Sequence, residues 1–551
     1  MPLGSRLNGR SNSKFALFFV ALIAAALWAQ STIRSDEPAR VMGVTIWTGT
    51  QSFPTGYTVA AGQTVELNPN ANTNIDLGGN LTVKGTLRSW PAAGVIHTIR
   101  FTGINEASFV GGGHAPLASD KGLWVTEAGN LDLVGSPKLG WSRATASLSA
   151  GATSATLETA PTGWKVGDEV VIAPTENPNI ANFSTRRELR TITSVTGSKV
   201  GFGALSYPHP RVTVKPNLSY GAEIANLTRN VRIEGTASGR SHVWIKSTAK
   251  QTIRHAALRY LGPRKGGLKV AGRYGLHFHR NDNASRGTIV EGVVSRQVGA
   301  HAFVAHRSNG ITFRDTVSIE TMEDAYWYDP GALEAPDDTI YERALALGVS
   351  AQPGNSYHRL TGFHLGLGHG NTIRDSAAVG VQGGVSSSGY IWPEIHDAIR
   401  GDPTNGVWTF DANVAHNNLQ DGIFTWQNVS EGHIVSRFVG YHNGRSGIEH
   451  GAYSNQYHYV EAMLYGNRLA AVQLHAESEI LPPFTSFERS HVNGAGITKH
   501  AVLLEKPTFI NRPPSIWCGN AIQGLTGAAY LVNYAGEDST VAERLDIKPL
   551  C

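Results

Sequence analysis

Cysteine is scarce in this chain of 551 residues, which has only Cys518 and Cys551. Neither lies in a CxxC pair or among clustered His ligands, so a cysteine-based zinc site and a disulfide framework are both excluded. In an oxidising compartment the two thiols are expected to pair and hold the C-terminal tail to the body. Two free thiols are the alternative that the sequence leaves open.

Charge is also sparse and evenly spread. Only 16% of the residues are charged, and 47 Lys and Arg against 43 Asp and Glu give a formal net charge of +4 without a block of one sign. Nucleic acid and a polybasic membrane contact are therefore not expected, and binding of a polyanion would have to be local. The 62 glycines exceed the usual share of about 7% without a collagen period, which predicts many tight turns.

The one long apolar run lies at the N-terminus. Three basic residues between positions 6 and 14 precede the apolar residues 15–29. This run is shorter than the roughly 20 residues that span a bilayer. It predicts a signal peptide at 1–30, with an uncleaved signal anchor as the alternative. The protein is expected to be secreted, or held in the cell envelope by this segment alone.

Short β-favouring runs separated by turn residues follow the N-terminal segment. VTIWTGT at 44–50 and NLTVKGTL at 80–87 alternate apolar and polar residues, which is typical of half-buried strands. Residues 163–202 predict a small β-domain or the entry turns of a larger stack. No segment of this kind has a helical period, so the sequence predicts an all-β protein.

Internal repeats begin near residue 268. Residues 287–309 align with 310–332 at a spacing of 23, which places His301 over Asp324 and Phe303 over Tyr326. A regular period of this length is the mark of a solenoid or a propeller.

The repeats continue further along the chain. Residues 413–424, 441–449 and 465–473 recur at spacings of 25 and 24, with apolar positions between Asn and Gly corners. We interpret them as coils of a parallel β-helix, in which each coil buries its apolar side chains on its neighbours. Side chains at one position in consecutive coils then form a row on the surface.

Several motifs resemble one known family. Trp47 and GGNLTVKGTL at 78–87 resemble the glycine-rich G8 domain. Further segments resemble the family of the cell-surface hyaluronidase and the cell migration-inducing hyaluronan-binding protein, and these are 164–176, 207–210, 222–236 and GRYGLHFHRN at 272–281. The likeness covers about residues 44–335, and Gly275 stands where this family is expected to have a proline.

The resemblance implies a G8-like β domain followed by a right-handed, single-stranded parallel β-helix of the pectin-lyase type. It also implies depolymerisation or binding of hyaluronan, with calcium as the cofactor of some members. The predicted organisation is a signal segment at 1–30, a G8-like domain at 41–160, a β-rich connection at 161–220, β-helix repeats at 221–506 and a tail at 507–551.

The HFH motif offers the first candidate for chemistry. His277 and His279 alternate along a predicted strand and so face the same side. A neutral imidazole accepts a proton near neutral pH, and Arg273 and Asn281 are placed to orient it or to bind an acidic sugar. The alternative is a buried, hydrogen-bonded histidine ladder. HxH spacing also suits a metal, but no third ligand is visible in the sequence.

An acidic and aromatic segment offers the second candidate for chemistry. Glu323 and Asp324 are a carboxylate pair of the type used in glycoside hydrolysis, and Tyr326 and Trp327 offer faces on which sugars stack. Asp324 and Asp329 are the predicted calcium ligands. The alternative is that the acids are solvated corner residues and the aromatics ordinary core.

The predicted rows bring the two motifs together. His301 and His306 would lie on coils adjacent to His279 and Asp324, and we assign them to substrate binding. A β-elimination is the alternative chemistry, with His279 or Tyr326 as the base and an arginine or calcium neutralising the substrate carboxylate. The sequence does not separate elimination from hydrolysis.

The sequence thus predicts a secreted or surface protein that binds an acidic polysaccharide in a β-helix groove and cleaves it. His277, His279, Glu323 and Asp324 are the expected catalytic residues. The first alternative is a non-catalytic glycan-binding or adhesion protein, and the second is a structural envelope protein without a glycan. The oligomeric state is left open.

Overall fold

A computed structural model describes residues 43–551, except for 329–333, 352–358, 385, 393–401, 403, 427–431, 452–456, 476–484, 506–514, 534–540 and 542–544. The predicted signal segment at 1–30 and Asp329 lie outside the described residues. Val44–Cys551 form one compact unit. Within the described ranges no helix is long and apolar enough to cross a bilayer.

The unit is a parallel β-helix, as predicted. Each coil visits a first, a second and a third sheet in turn, and each strand pairs in parallel with the strand one coil before and one coil after it. Val, Leu, Ile and aromatic side chains from all three sheets point inward and form one continuous core. Stacking therefore buries an apolar face that no single coil could bury alone.

The strand bounds follow this path. The first sheet contains Val44–Trp47, Thr64–Leu67, Thr86–Ser89, Asn130–Val134, Thr252–Arg254, Ile289–Glu291, Thr312–Arg314, Ile340–Glu342, Thr372–Arg374, Thr409–Asp411, His433–Ser436, Tyr457–Val460, Ser486–Glu488, Ser515–Cys518 and Leu545–Lys548. The second contains Gly49–Phe53, Thr73–Leu77, His97–Phe101, Val231–Glu234, Ala256–Arg259, Val294–Val298, Val317–Thr321, Leu345–Leu347, Ala377–Val379, Val414–His416, Val439–Tyr441, Met463–Tyr465, His491–Asn493 and Ala521–Gln523. The third contains Tyr57–Val59, Leu81–Val83, Leu123–Glu127, Val243–Ser247, Leu276–Asp282, Phe303–Ser308, Tyr326–Trp327, Thr361–His364, Ser388–Trp392, Asp421–Thr425, Ser446–His450, Ala470–His475, His500–Glu505 and Tyr530–Asn533. Two 3-10 turns, Glu106–Ser108 and Asn283–Ser285, lie between strands.

The predicted repeat spacings are the coil lengths. Phe303 pairs with Tyr326, 23 residues further on, and their rings stack with centroids 4.9 Å apart. Ile423 pairs with Ile448 and Ile448 with Val472, at the predicted spacings of 25 and 24. The expected convergence of distant side chains into rows is therefore confirmed.

A ladder of buried asparagines fixes the corner between the second and third sheets in three successive coils. Asn418 Nδ2 donates to Asn443 Oδ1 over 3.0 Å, and Asn443 Nδ2 donates to Asn467 Oδ1 over 3.0 Å. All three side chains are fully buried. Each amide satisfies the next, which makes the corner repeat at the same place in each coil.

The N-terminal strands do not form a separate unit. The sequence predicts a G8-like domain at 41–160 ahead of a helix beginning at 221, but the strands from Val44 onward already belong to the three parallel sheets. Leu133 pairs directly with Ile253 of the next coil. Alternating residues predict a half-buried strand but do not say whether its partner is a hairpin neighbour or the next coil, so the boundary could not be drawn from local pattern.

The segment predicted as a tail at 507–551 also belongs to the β-helix. Ser515–Cys518 and Leu545–Lys548 add the last two strands to the first sheet. Cys518 and Cys551 form a disulfide, as expected, with Cα atoms 5.0 Å apart. The bond joins residue 551 to the strand Ser515–Cys518, which also pairs with Leu545–Lys548.

A small antiparallel domain interrupts the helix between the first and second sheets of its fourth coil. Its strands are Trp141–Arg143, Ser154–Thr156, Glu169–Ile172, Glu188–Thr196, Lys199–Phe202 and Glu223–Asn226, with a hairpin of Val212–Lys215 and Leu218–Tyr220. Its apolar face packs on the outside of the second sheet, where Trp141 and Val214 meet Val317 and Leu345. The small domain predicted near 163–202 is present, and it covers the second sheet.

Candidate functional site

The HFH strand presents its histidines on the outside of the third sheet. Leu276 and Phe278 point into the core, whereas His277 and His279 belong to the opposite face, as the alternation predicts. Gly275 lies so close to the backbone of the next coil that a Cβ would be 2.5 Å from the carbonyl oxygen of Ala302. This close approach is a physical reason for a glycine where the family resemblance suggested a proline.

Strand register builds a row of side chains on this outer face. Trp124, Trp244, His277, Val304 and Trp327 are successive register partners in five coils. A second row alongside it contains His279, whose partner is His306. The predicted position of His306 on the coil next to His279 is confirmed.

Three histidines of these rows form what we call the imidazole cluster: His277, His279 and His306. The ring centroids of His277 and His279 lie 5.0 Å apart, those of His279 and His306 lie 4.8 Å apart, and His277 stacks parallel to His306 at 5.7 Å. One ring nitrogen of each lies within 4.8 Å of the corresponding nitrogens of the other two.

Hydrogen bonds hold one side of each ring. His277 Nδ1 lies 2.8 Å from the Gly272 carbonyl oxygen, and His306 Nε2 lies 2.7 Å from Glu334 Oε2. His279 Nε2 lies 2.8 Å from Nδ1 of the exposed His114. Nε2 of His277 and Nδ1 of His279 are buried and have no hydrogen-bond partner within the described part of the chain.

Burial keeps the rings of His277 and His279 uncharged. It lowers the pKa of His277 well below its usual range. Burial, together with the nearby His306, lowers the pKa of His279 to about 3. Both imidazoles are therefore neutral near pH 7 and can accept a proton or a metal through a lone pair.

A second group lies beside the imidazole cluster. The Tyr274 ring contacts His277 at 4.9 Å, His301 at 5.0 Å and Trp327 at 5.9 Å between centroids. His301 also stacks on Trp327, with ring centroids 4.5 Å apart. Burial, and to a smaller extent the charge of Lys269, lowers the pKa of His301 well below its usual range. The HFH strand and the 323–328 segment thus share one face.

Asp324 is held in place by two donors. The Thr361 amide donates to its Oδ1 over 2.9 Å, and His364 Nδ1 lies 3.1 Å from its Oδ2. His301 Nδ1 is 3.9 Å from the same Oδ2, so the predicted proximity of His301 and Asp324 is confirmed. Asp324 is 5% exposed, and its carboxylate orients the His364 ring.

Glu323 faces two cations of the short antiparallel hairpin formed by Arg264–Lys265 and Leu268–Lys269. Its carboxylate lies 3.3 Å from Arg264 Nη1 and 3.8 Å from Lys269 Nζ. Burial raises the pKa of Glu323, although the two cations oppose the rise. The predicted acidic pair is therefore buried, both carboxylates have polar partners, and neither is a solvated corner side chain.

Two predicted substrate-binding residues are corrected by the structure. Tyr326 points into the core, where its ring stacks between Phe303 and Phe363 and its hydroxyl lies 2.9 Å from Thr316 Oγ1. Adjacent strand residues face opposite sides, so Trp327 is outside because Tyr326 is inside. The same burial excludes Tyr326 as the alternative base.

The second correction concerns Arg273, which is fully buried. Its Nε donates to Asp120 over 2.7 Å and its guanidinium lies over the Trp124 ring. It therefore anchors the loop that carries His114, and it does not face a ligand. Asn281 is mostly buried and accepts from the Ser247 amide over 2.8 Å, so it also has a structural contact.

Sequence reasoning missed His114, Trp244, Lys246 and Tyr274. Tyr274 lies within the recognised GRYGLHFH motif, and its position before the HFH strand was the available signal. Lys246 lies on the outer face two residues beyond Trp244, and no ion-pair partner is found for it among the described residues. His114 comes from a loop outside the repeats, and nothing in its sequence neighbourhood points to His279.

A cavity of about 460 Å³ opens beside His114. Its wall includes Lys84, Trp244, Lys246, Arg280 and Asn281. A larger cavity of about 740 Å³ lies elsewhere, lined by His369, Trp408 and Arg437. We favour the first as a binding site because it adjoins the imidazole cluster.

Comparison with known proteins supports the G8 resemblance. No protein-family model matches the chain. A G8 domain-containing protein of Dictyostelium discoideum is 23% identical over 252 residues, which are 44% of this chain and 20% of that protein. Fibrocystin-L of Mus musculus is 36% identical over 129 residues, which are 22% of this chain and 3% of that protein. The chain thus matches a fifth or less of these relatives, and its predicted resemblance to G8 domain-containing proteins is confirmed.

Solved structures of distant sequence also align with the chain. The A-module of the Azotobacter vinelandii mannuronan C-5 epimerase AlgE4 aligns at 10% identity and a TM-score of 0.33, over 96% of this chain and 94% of that chain. The periplasmic alginate epimerase AlgG aligns at 10% identity and a TM-score of 0.32, over 91% and 77%. At TM-scores this low, the parallel β-helix is established by the strand pairing of the chain itself.

Proposed function

We propose that this protein is a carbohydrate-active protein, secreted or held at the cell envelope, that binds an acidic polysaccharide along the outer face of the third sheet and cleaves it. The observation that carries the proposal is the imidazole cluster, in which the uncharged rings of His277 and His279 each have one nitrogen without a partner among the described residues. Cationic side chains lie beside them on one continuous face. A hyaluronan-like glycosaminoglycan or another uronan has the matching chemistry, because each repeat carries a carboxylate.

Binding is assigned to the cations and the aromatic surface around the cluster. Lys246 and Arg280 line the cavity, and Lys269 lies at the other side near His301. A uronate carboxylate is attracted to such cations. The same cations stabilise the additional negative charge that develops on the carboxylate during the reaction. Trp327, half-buried beside His301, offers a ring edge and face to a sugar.

The geometry favours β-elimination as the cleavage reaction. A neutral imidazole, with His279 as our first choice, takes the proton from the carbon next to the uronate carboxylate. The electron pair forms a carbon–carbon double bond as the bond to the glycosidic oxygen breaks, and that oxygen takes a proton from the imidazolium or from water. Lys246 and Arg280 stabilise the charge that builds on the carboxylate during this step.

Hydrolysis is the second candidate, and one observation supports it. The raised pKa of Glu323 suits a general acid, and Asp324 would be its partner. Both carboxylates, however, already interact with neighbouring donors or cations, so fewer of their oxygen lone pairs are free to contact a substrate. Calcium at Asp324 and Asp329 stays a prediction, because Asp329 lies outside the described residues.

The test is incubation of the purified protein with hyaluronan, chondroitin sulfate, alginate and polygalacturonate, with and without EDTA and with calcium restored. New reducing ends accompanied by ultraviolet absorbance of the unsaturated uronate would support elimination, and reducing ends without it would support hydrolysis. His279→Gln should lower the cleavage rate by about 100-fold or more, as expected for loss of a general base. His458→Gln, on the first sheet, is the matched control.

Two outcomes would reject parts of this proposal. Binding of a glycan with no new ends would leave a non-catalytic binding protein, and no binding to any member of the panel would remove the glycan role. Full activity in His279→Gln would move the base to another residue.

A further inference from the structure

We propose that the imidazole cluster is a binding site for one divalent transition-metal ion of the zinc type, with His277, His279 and His306 as its three protein ligands. The ligand nitrogens already lie within 4.8 Å of one another. Three histidines with an open position are a known arrangement for such an ion. The proposal concerns metal binding and is argued without the proposed cleavage. With the ion bound, His279 is a ligand and has no lone pair left to act as the base, so cleavage by His279 would require the metal-free protein.

The backbone places these ligands without help from a flexible loop. His277 and His279 lie two residues apart on Leu276–Asp282, and His306 lies on Phe303–Ser308, the directly paired strand of the next coil. Both strands are fixed by the core beneath them, where Phe278 pairs with Ala305. A site built on paired strands keeps its geometry better than one built on loops.

Each ring is also oriented from behind. Metal-binding histidines usually donate their other N–H to a carbonyl or a carboxylate, which fixes the tautomer and the ring plane. Here the Gly272 carbonyl oxygen is 2.8 Å from His277 Nδ1, and Glu334 Oε2 is 2.7 Å from His306 Nε2. In the metal-bound form His277 would bind through Nε2 and His306 through Nδ1.

His279 completes the set through the nitrogen that faces the cluster. Its Nε2 lies 2.8 Å from His114 Nδ1. With Nε2–H donating to His114, Nδ1 carries the lone pair that binds the ion. His114 is then a positioning residue, and its loop is anchored by the buried ion pair of Arg273 and Asp120.

Unpartnered buried nitrogens provide an independent indication of a ligand. His277 is fully buried and its Nε2 has no hydrogen-bond partner among the described residues, and the same holds for Nδ1 of the 5% exposed His279. A buried polar atom without a partner is costly, by about 1–3 kcal/mol. A metal ion between the rings would satisfy both atoms at once.

The chemistry of the ligands selects the class of ion. Imidazole nitrogen suits zinc, copper, nickel, cobalt and iron, whereas calcium and magnesium prefer oxygen ligands. The site is therefore distinct from the calcium site predicted at Asp324 and Asp329. It also supplies the third ligand that the HxH spacing alone did not reveal.

The test uses the full chain without a histidine tag, stripped with EDTA, dialysed and titrated with cobalt(II) in the absence of polysaccharide. We expect about one ion per chain and a visible absorption spectrum of cobalt with nitrogen ligands. His279→Ala and His306→Ala should weaken cobalt binding at least tenfold, whereas His458→Ala should leave it unchanged. No stoichiometric binding, or equal binding in all variants, would overturn the proposal.

A ligand-replacing variant keeps the test decisive if an alanine variant fails to fold. His306→Cys retains a metal ligand and should add a strong thiolate-to-cobalt absorption band in the near ultraviolet. Bound cobalt without that band would show that residue 306 is not a ligand. The cobalt titration contains no sugar, so it tests metal binding separately from cleavage. If the protein binds metal but cleaves no polysaccharide, only the proposed reaction is rejected. If the metal-free protein cleaves a polysaccharide, the proposed reaction is retained whatever the result of the titration.

Discussion

At the scale of single residues, the protein surrounds His279 with rings. Trp244 stacks on one side at 5.2 Å, His114 lies at 5.0 Å and His306 meets it edge-on at 4.8 Å, all between centroids. These neighbours exclude water, and exclusion of water is what makes protonation of the imidazole unfavourable. His279 therefore has the properties of a neutral base or a metal ligand, which explains why both proposals centre on it.

Tyr326 and Trp327 provide a prediction about which aromatic side chain faces outward. Tyr326→Phe removes a buried hydroxyl that contacts Thr316 at 2.9 Å, so we expect it to lower the free energy of unfolding by about 1–2 kcal/mol and to leave glycan binding unchanged. Trp327→Leu should instead weaken glycan binding and leave the free energy of unfolding nearly unchanged. Urea denaturation and a glycan-binding assay measure the two effects, and weakened binding in Tyr326→Phe at unchanged stability would contradict the assignment.

His433 provides a prediction about pH. It is buried inside the first sheet against Tyr457, with ring centroids 4.1 Å apart. Burial, with smaller contributions from His450 and His458, lowers its pKa from 6.5 to about 3. Between these values the unfolded chain binds a proton that the folded chain does not, so the folded state loses stability as the pH falls.

His433→Phe should remove this contribution. On going from about pH 7.5 to about pH 5, the wild type should lose about 2 kcal/mol more of its unfolding free energy than the variant does. Urea denaturation at the two pH values measures the difference. An equal loss in both proteins would show that His433 is not kept neutral by the fold.

At the scale of elements, the coil corners carry the register. The Asn418, Asn443 and Asn467 ladder links three coils through side-chain amides that are fully buried. A strand slip of one residue would break each of these bonds and also turn the apolar face outward. The ladder therefore selects one register among several that a repetitive sequence would otherwise permit.

Asn443→Ala tests the ladder at its centre. The substitution leaves polar atoms of Asn418, Asn467 and the Ala415 carbonyl without their partner, so we expect a loss of at least about 3 kcal/mol in unfolding free energy. Asn533→Ala, at an exposed strand end, is the control and should change stability by less than about 0.5 kcal/mol. A loss below about 1 kcal/mol in Asn443→Ala would contradict the role of the ladder.

Repeats explain which elements could be predicted from sequence. The spacing of 23 is a coil length, so it predicted the register of Phe303 with Tyr326. The pairing of His279 with His306, whose separation is none of the repeat spacings, was predicted only as a position on adjacent coils. The position of His114 could not be predicted in this way, because its loop belongs to no repeat. Which of Tyr326 and Trp327 faces the core depends on the strand phase, and the sequence motif does not reveal that phase.

At the scale of the whole molecule, the faces of the helix are not equivalent. The antiparallel domain at 141–226 covers the second sheet, where Trp141 and Val171 pack on Val317 and Leu345. The described part of the third sheet instead carries histidines, Trp327 and Lys246 in rows on its outer face. A long polymer lies most easily along such rows, because each coil repeats the contact about 4.8 Å further on.

The central claim is that this outer face binds an acidic polysaccharide, and its charge allows the most direct measurement. Affinity electrophoresis of the wild type, Lys246→Glu and Lys199→Glu through gels containing hyaluronan, chondroitin sulfate, alginate or polygalacturonate compares the same charge reversal on two surfaces. Lys199 lies exposed on the antiparallel domain and serves as the control. The account predicts retardation of the wild type and of Lys199→Glu by at least one polymer, with loss of retardation in Lys246→Glu. Equal retardation of all three proteins, or none in any gel, would contradict it.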